Sequence, residues 1–196
     1  MKWTSHRLIT TSIIFALTGK PVPCVFAYMG STLPDSLEFI LPESMRKSHR
    51  SHSHWLVYYA AFAAISYFVL HFYRVDVCSP MNLAYVNFMR RYGNYAALCA
   101  ALIHPIIFWL CIGALFHIAE DMVTAPVPLL SPRKKGAPLG RWFYTGSKKE
   151  FIFAFTVFFV LSFVGLFRCG YITERLPQDL ARLRGNAQEL RYGGRR

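Results

Sequence analysis

YAALCAALIHPIIFWLCIGALFHI, residues 95–118, decides how the chain reads. A hydrocarbon core roughly 30 Å thick is crossed by about 20 helical residues, and this run is long enough to do so. It carries His104 and His117 at depths where lipid is expected. Ionisable groups are costly there and tend to be retained for function. Three further apolar runs, residues 8–29, 55–73 and 151–167, flank it in sequence. Together they predict an all-α integral membrane protein. About four transmembrane helices are joined by basic connectors, and a short amphipathic helix follows over residues 176–190. On this reading residues 1–172 form the membrane domain and residues 173–196 a basic tail.

Composition points the same way. The chain is 54% hydrophobic and 16% charged, with a formal net charge of +12. Its Lys and Arg residues gather in the connectors and tail, which suits anionic headgroups or acidic partner subunits. Bound anionic phospholipid is therefore expected. Nucleic acid is not, because no recognisable reading module carries a basic patch with interleaved aromatics. The five cysteines, Cys24, Cys78, Cys99, Cys111 and Cys169, include no CxxC pair, so neither a thiolate metal site nor a disulfide framework is expected.

The first acidic residue is Asp35, after Lys2, Arg7 and Lys20. That pattern resembles an import or secretion signal, with Val25-Phe26-Ala27 as a conceivable cleavage site. The segment reads as an uncleaved, topology-setting first helix, with a cleavable signal as the alternative. Gly19-Lys20-Pro21-Val22-Pro23 predicts a kink or a break in it, since proline removes a backbone donor and clashes with the preceding turn. A helix ending near Leu17 with a shallow re-entrant segment after it is the competing reading.

Between the first two runs, residues 35–41 could form a short surface helix with Pro34 near its start. Arg46-Lys47-Ser48-His49-Arg50-Ser51-His52-Ser53-His54 then makes a basic, histidine-rich connector. Residues 81–91 predict an interfacial helix. Pro126, Pro128 and Pro132 argue against regular structure in the third connector. The run 151–167 is rich in Phe and should face lipid broadly. Four spans would place both termini on one side, while the distribution of Lys and Arg does not fix which side.

His104 and His117 lie thirteen residues apart, about 20 Å along a helix axis, so they cannot ligate one metal. The second run is antiparallel to the third, which brings His54 towards His117 and His71 towards His104. Neutral imidazole is a good axial haem ligand, and helical bundles commonly carry haem. Each histidine also has a plainer reading. His54 belongs to a solvated connector, His71 sits by Arg74 at an interface, His104 precedes the kink at Pro105, and His117 could be a packing histidine. Glu120-Asp121, three and four residues after His117, could form a metal half-site or solvate a helix end. No Gly-rich phosphate loop or nucleophile elbow is present. Haem iron is the one metal expected.

Several of these residues resemble the membrane anchor subunits of succinate dehydrogenase, respiratory complex II. Trp3-Thr4-Ser5-His6-Arg7 is similar to the anchors' pre-helix motif. Ala101-Leu102-Ile103-His104, with Phe108 and His117, is similar to the haem-bearing helix of the large anchor. His52-Ser53-His54-Trp55 and Val75-Asp76-Val77-Cys78 resemble pieces of the small anchor. The resemblance implies a non-catalytic subunit in the mitochondrial inner membrane, among other subunits of a respiratory complex and membrane lipids. It implies haem b on His117, with the second ligand from another chain or from His54, and ubiquinone near Arg7. The chain departs from the family at Trp3, where the quinone serine would stand, and at Ile118-Ala119-Glu120-Asp121. A cofactor-free accessory subunit of a respiratory complex or ATP synthase is the alternative, and a stand-alone dihaem cytochrome a third reading.

Overall fold

The computed structural model describes residues 1–42, 44, 52–72, 75, 93, 95–131, 134–135 and 142–179. Its helices are α1 (Trp3–Thr18), α2 (Pro21–Gly30), α3 (Leu33–Ile40), α4 (Leu56–Phe72), α5 (Tyr95–Met122) and α6 (Lys148–Arg168). A 3₁₀ turn, His52–His54, leads into α4, and a π-helical turn, Tyr171–Arg175, follows α6. Among the described residues the fold is helical apart from one small antiparallel ribbon, in which Pro128–Ser131 pairs with Lys134–Lys135. The interfacial helix expected over residues 81–91, most of the basic connector and the tail beyond residue 179 lie outside the described residues.

The first apolar run is not one span. α1 stops at Gly19, whose φ of 64° is left-handed and whose N–H bonds the Phe15 carbonyl. Pro21 then opens α2 in the first helical turn, where its missing donor costs nothing. The chain turns back here. Met1 lies against Asp121 at one end of the bundle, Gly19 lies beside Cys169 at the other, and Ser31 returns to His117. The break expected at Gly19-Lys20-Pro21 thus makes a hairpin, with helices about 24 Å and 15 Å long.

Glycines allow that return. A Cβ on Gly30 would collide with the Leu110 carbonyl, and one on Gly113 with the Ala27 carbonyl. α2 and α5 therefore touch backbone to backbone, the small-residue packing familiar in membrane bundles. Ala27, fully buried, sits in the same seam with Cys24, Ile14 and Trp109.

α4 packs antiparallel on α5 through Tyr59, Ala63, Cys111, Ala114 and Ile118. α6 runs parallel to α1, and its start is fixed by a polar knot. Ser147 caps the helix by accepting from the Glu150 N–H at 3.2 Å, while the Glu150 carboxylate accepts from Lys2 N–H, Ser5 Oγ and Gly146 N–H. The opposite flank of α6 exposes Phe155, Phe159, Phe163 and Phe167, an apolar face suited to acyl chains.

Two helices among the described residues are long and apolar enough to cross a membrane, Ala101–Met122 within α5 and Lys148–Arg168. α4 is apolar but has 17 residues. Among the described residues, two helices rather than four are thus long and apolar enough to span. With α1 and α2 turning back, the start of α1 and the end of α6 occupy opposite ends of the bundle.

Candidate metal centre

Four separate elements send polar side chains to the same end of the bundle. His6 comes from the first turns of α1, Asp35 from the first turn of α3, His54 from the turn before α4. α5 contributes His117, Glu120 and Asp121 near its C-terminus. Spacings of three and four residues put those last three on one helix face. His6, His54, His117 and Asp121 are each at most 1% exposed.

The distances are tight and mutual. His54 Nε2 lies 3.3 Å from His117 Nε2 and 3.2 Å from Asp35 Oδ1. His117 Nε2 is 3.5 Å from both Asp35 Oδ1 and Asp121 Oδ2, and His54 Nε2 is 3.6 Å from Asp121 Oδ2. Two overlapping sets, His6–His117–Asp121 and Asp35–His54–His117, each hold their ligand atoms within 4.8 Å of one another.

Tautomers follow from the neighbours. His117 Nδ1 lies 2.6 Å from the Ser31 carbonyl, which can only accept, so Nδ1 carries the proton. A neutral His117 then points a bare Nε2 lone pair at His54 and the two carboxylates. A backbone carbonyl behind a ring in this way is the usual outer-shell partner of a metal-binding histidine. His54 Nδ1 has Ser53 Oγ at 3.0 Å, and the Ser53 carbonyl accepts from Tyr59 Oη at 2.7 Å. Burial pushes the Asp35 carboxyl up, but hydrogen bonds and charge from His117 and His54 hold it well below the ordinary carboxylate range.

His6 stands beside this group. Its ring packs against His117, tilted by 32° with centroids 4.0 Å apart, and its Nδ1 is 2.6 Å from Glu120 Oε2. Glu120 is held in turn by Thr10 Oγ1 at 3.0 Å. His6 Nε2 lies 3.4 Å from Asp121 Oδ1, yet it is buried and makes no hydrogen bond.

The expected meeting of His54 with His117 is present, and Asp121, though not Glu120, joins His117 in a group that could hold a metal ion. The transverse pair of His71 with His104 is not found: His104 Nδ1 sits 3.2 Å from Ser66 Oγ, and His71 stacks on Tyr67. Arg7 points away from the cluster, its guanidinium 4.8 Å from the Tyr28 ring centroid. A haem does not fit here. Two axial imidazoles must stand on opposite faces of a macrocycle, whereas these nitrogens are 3.3 Å apart with carboxylates around them. His6 and Asp35 are the residues that sequence reasoning overlooked as site residues.

The description of one family model, the YdjM inner membrane protein, fits this architecture, and that model matches residues 1–176. The chain belongs to the YdjM inner membrane protein family. No curated protein and no solved structure matches it. Membership corrects the resemblance to complex II anchors, whose short motifs matched only scattered pieces, whereas the family model spans nearly the whole chain. A non-catalytic respiratory subunit is set aside with it. A membrane location stands. The mitochondrial assignment rested on the anchor resemblance and has no other support.

Proposed function

We propose that this YdjM-family protein is a membrane-embedded hydrolase dependent on a divalent cation. Asp35, His54 and His117 would hold the ion, with Asp121 beside it and one position left for water. The observation that carries this reading is the spacing of their ligand atoms. Zinc bonds to nitrogen and oxygen are about 2.0–2.2 Å, so tetrahedral ligand atoms stand about 3.4 Å apart. The three separations among the Asp35, His54 and His117 ligand atoms run from 3.2 to 3.5 Å. Imidazole with carboxylate suits zinc, manganese or iron better than calcium or magnesium.

Such an ion, when bound, polarises a substrate oxygen and lowers the pKa of bound water. The chain's own residues supply the rest. Ser31 fixes the His117 tautomer, and the bundle excludes bulk water. His6, oriented by Glu120, holds its second ring nitrogen 3.4 Å from Asp121 beside the centre and can move a proton between water and leaving group. Asp35 is the most exposed of the four, 15% at its side chain, and marks the side from which substrate would enter.

A second reading has its own support. Four protein ligands from three elements is the closed arrangement of a structural zinc site, which would clamp α3, α4 and α5 together. One experiment separates the two. Purified protein is analysed for bound metal and assayed on chromogenic carboxylic and phosphoric esters, before and after chelation and metal return. Metal-restored turnover, lost in Glu120→Gln with metal retained, is expected. Bound metal with no turnover, and a melting temperature that falls on chelation, would favour the structural clamp. Absence of bound metal would overturn both.

A further inference from the structure

An apolar groove of about 460 Å³ begins beside the metal centre and opens on the flank of the bundle. Leu33, Leu37 and Leu41 of α3 form one wall, Tyr58 and Phe62 of α4 the other, and Cys111 of α5 lies at its floor. Its polar end is His52 and Ser53, the two residues before His54, and Leu33 is two residues before Asp35. At the other end Phe62 is 55% exposed, on a helix whose outer face also bares Ile65 and Phe68. The volume lies within the roughly 300–1,000 Å³ range of small-molecule sites.

We propose that this groove seats one acyl chain of a membrane lipid, with the lipid's polar linkage placed at the metal centre. The second clause rests on the hydrolase reading above, while the first does not. Three features choose this occupant. The groove is nearly all carbon, which favours an alkyl chain over a polar solute. Its mouth faces the apolar flank of a membrane bundle, where acyl chains are the available solvent. Its one polar end adjoins the titratable cluster, so the groove matches an amphiphile in both chemistry and direction. In the hydrolysis this implies, the oxygen of a water bonds to the acyl or phosphoryl atom. The bond to the leaving oxygen breaks, and the water's proton goes to that oxygen by way of His6.

Photolabelling tests the proposal without requiring turnover. The full chain is placed in dioleoylphosphatidylcholine nanodiscs containing a phosphatidylcholine with a diazirine in the middle of one acyl chain. Irradiation should label peptides from α3 and α4 that line the groove. Leu37→Trp, which fills it, should reduce that labelling at least tenfold while labelling of α6 is unchanged. If Leu37→Trp fails to fold, Phe62→Trp at the mouth serves instead. Labelling confined to the Phe-rich face of α6, or insensitive to the filling variant, would overturn the groove. Metal content measured on the same samples keeps the readings apart: groove labelling in a protein that binds no metal retains the lipid seat and removes the hydrolase. Metal with no groove labelling does the reverse.

Discussion

His54 and His117, 63 residues apart in sequence, bring their Nε2 atoms within 3.3 Å of one another. Bare nitrogens do not attract, and the nearest groups besides are the carboxylates of Asp35 and Asp121. A shared proton or a cation reconciles them. If it is a cation, His117→Ala and Asp35→Ala should each lower metal affinity at least 10²-fold. Metal-competition titration checks this, and His71→Ala, outside the cluster, should leave affinity unchanged.

The ring of His117 depends on a carbonyl that the glycine seam delivers. Gly30 precedes Ser31, and Gly113 lies one turn before His117, so the same close approach that joins α2 to α5 sets the hydrogen bond to Nδ1. Gly113→Val should push the helices apart and weaken metal binding about 10–100-fold, the scale of losing an outer-shell partner. Ile65→Ala, at an exposed position on the outer face of α4, is the control for metal affinity.

Acid should release the ion before it protonates Asp35. Asp35 is depressed in the folded chain, so its contribution to stability is present above its unfolded value of about 3.9. That contribution is lost only as pH falls through the lower folded value. Histidine ligands must instead be neutral to bind metal, and imidazole ordinarily titrates near 6.5. Metal release on acidification should therefore have its midpoint well above the carboxylate range, with helical circular dichroism retained. A midpoint near pH 4 would assign control to the carboxylates instead.

The α1–α2 hairpin sets the topology. Because α1 begins at the metal end and α6 ends at the far one, tags at the two termini should lie on opposite sides of sealed vesicles. Protease protection of each tag measures this. Tags on the same side would restore a full first span.

Much of this architecture is legible in the chain. Apolar runs found the helices to within a few residues, and Gly19 with two prolines marked the turn. Antiparallel neighbours put His54 near His117. What periodicity could not reveal was which helix each short connector approaches. Asp35 looked like a solvated acid on a surface helix because nothing local distinguishes it from one. His6 likewise passed as part of a pre-helix motif, since its partners Glu120 and Asp121 lie more than a hundred residues away. Both residues gain meaning only from the return of α2, and that return depends on glycines whose role is steric rather than hydrophobic.

The parallel pairing of α1 with α6 bears on how the protein is made. Ser5 and Glu150, which join the starts of those helices, are 145 residues apart. At the usual 5–20 residues per second of synthesis, α1 waits on the order of 10 s for that partner. α1 can pair with α2 as soon as both are made, yet its contact with α6 forms late. The last residue of the cluster is Asp121, so the ion can be captured once α5 is made and before α6 exists.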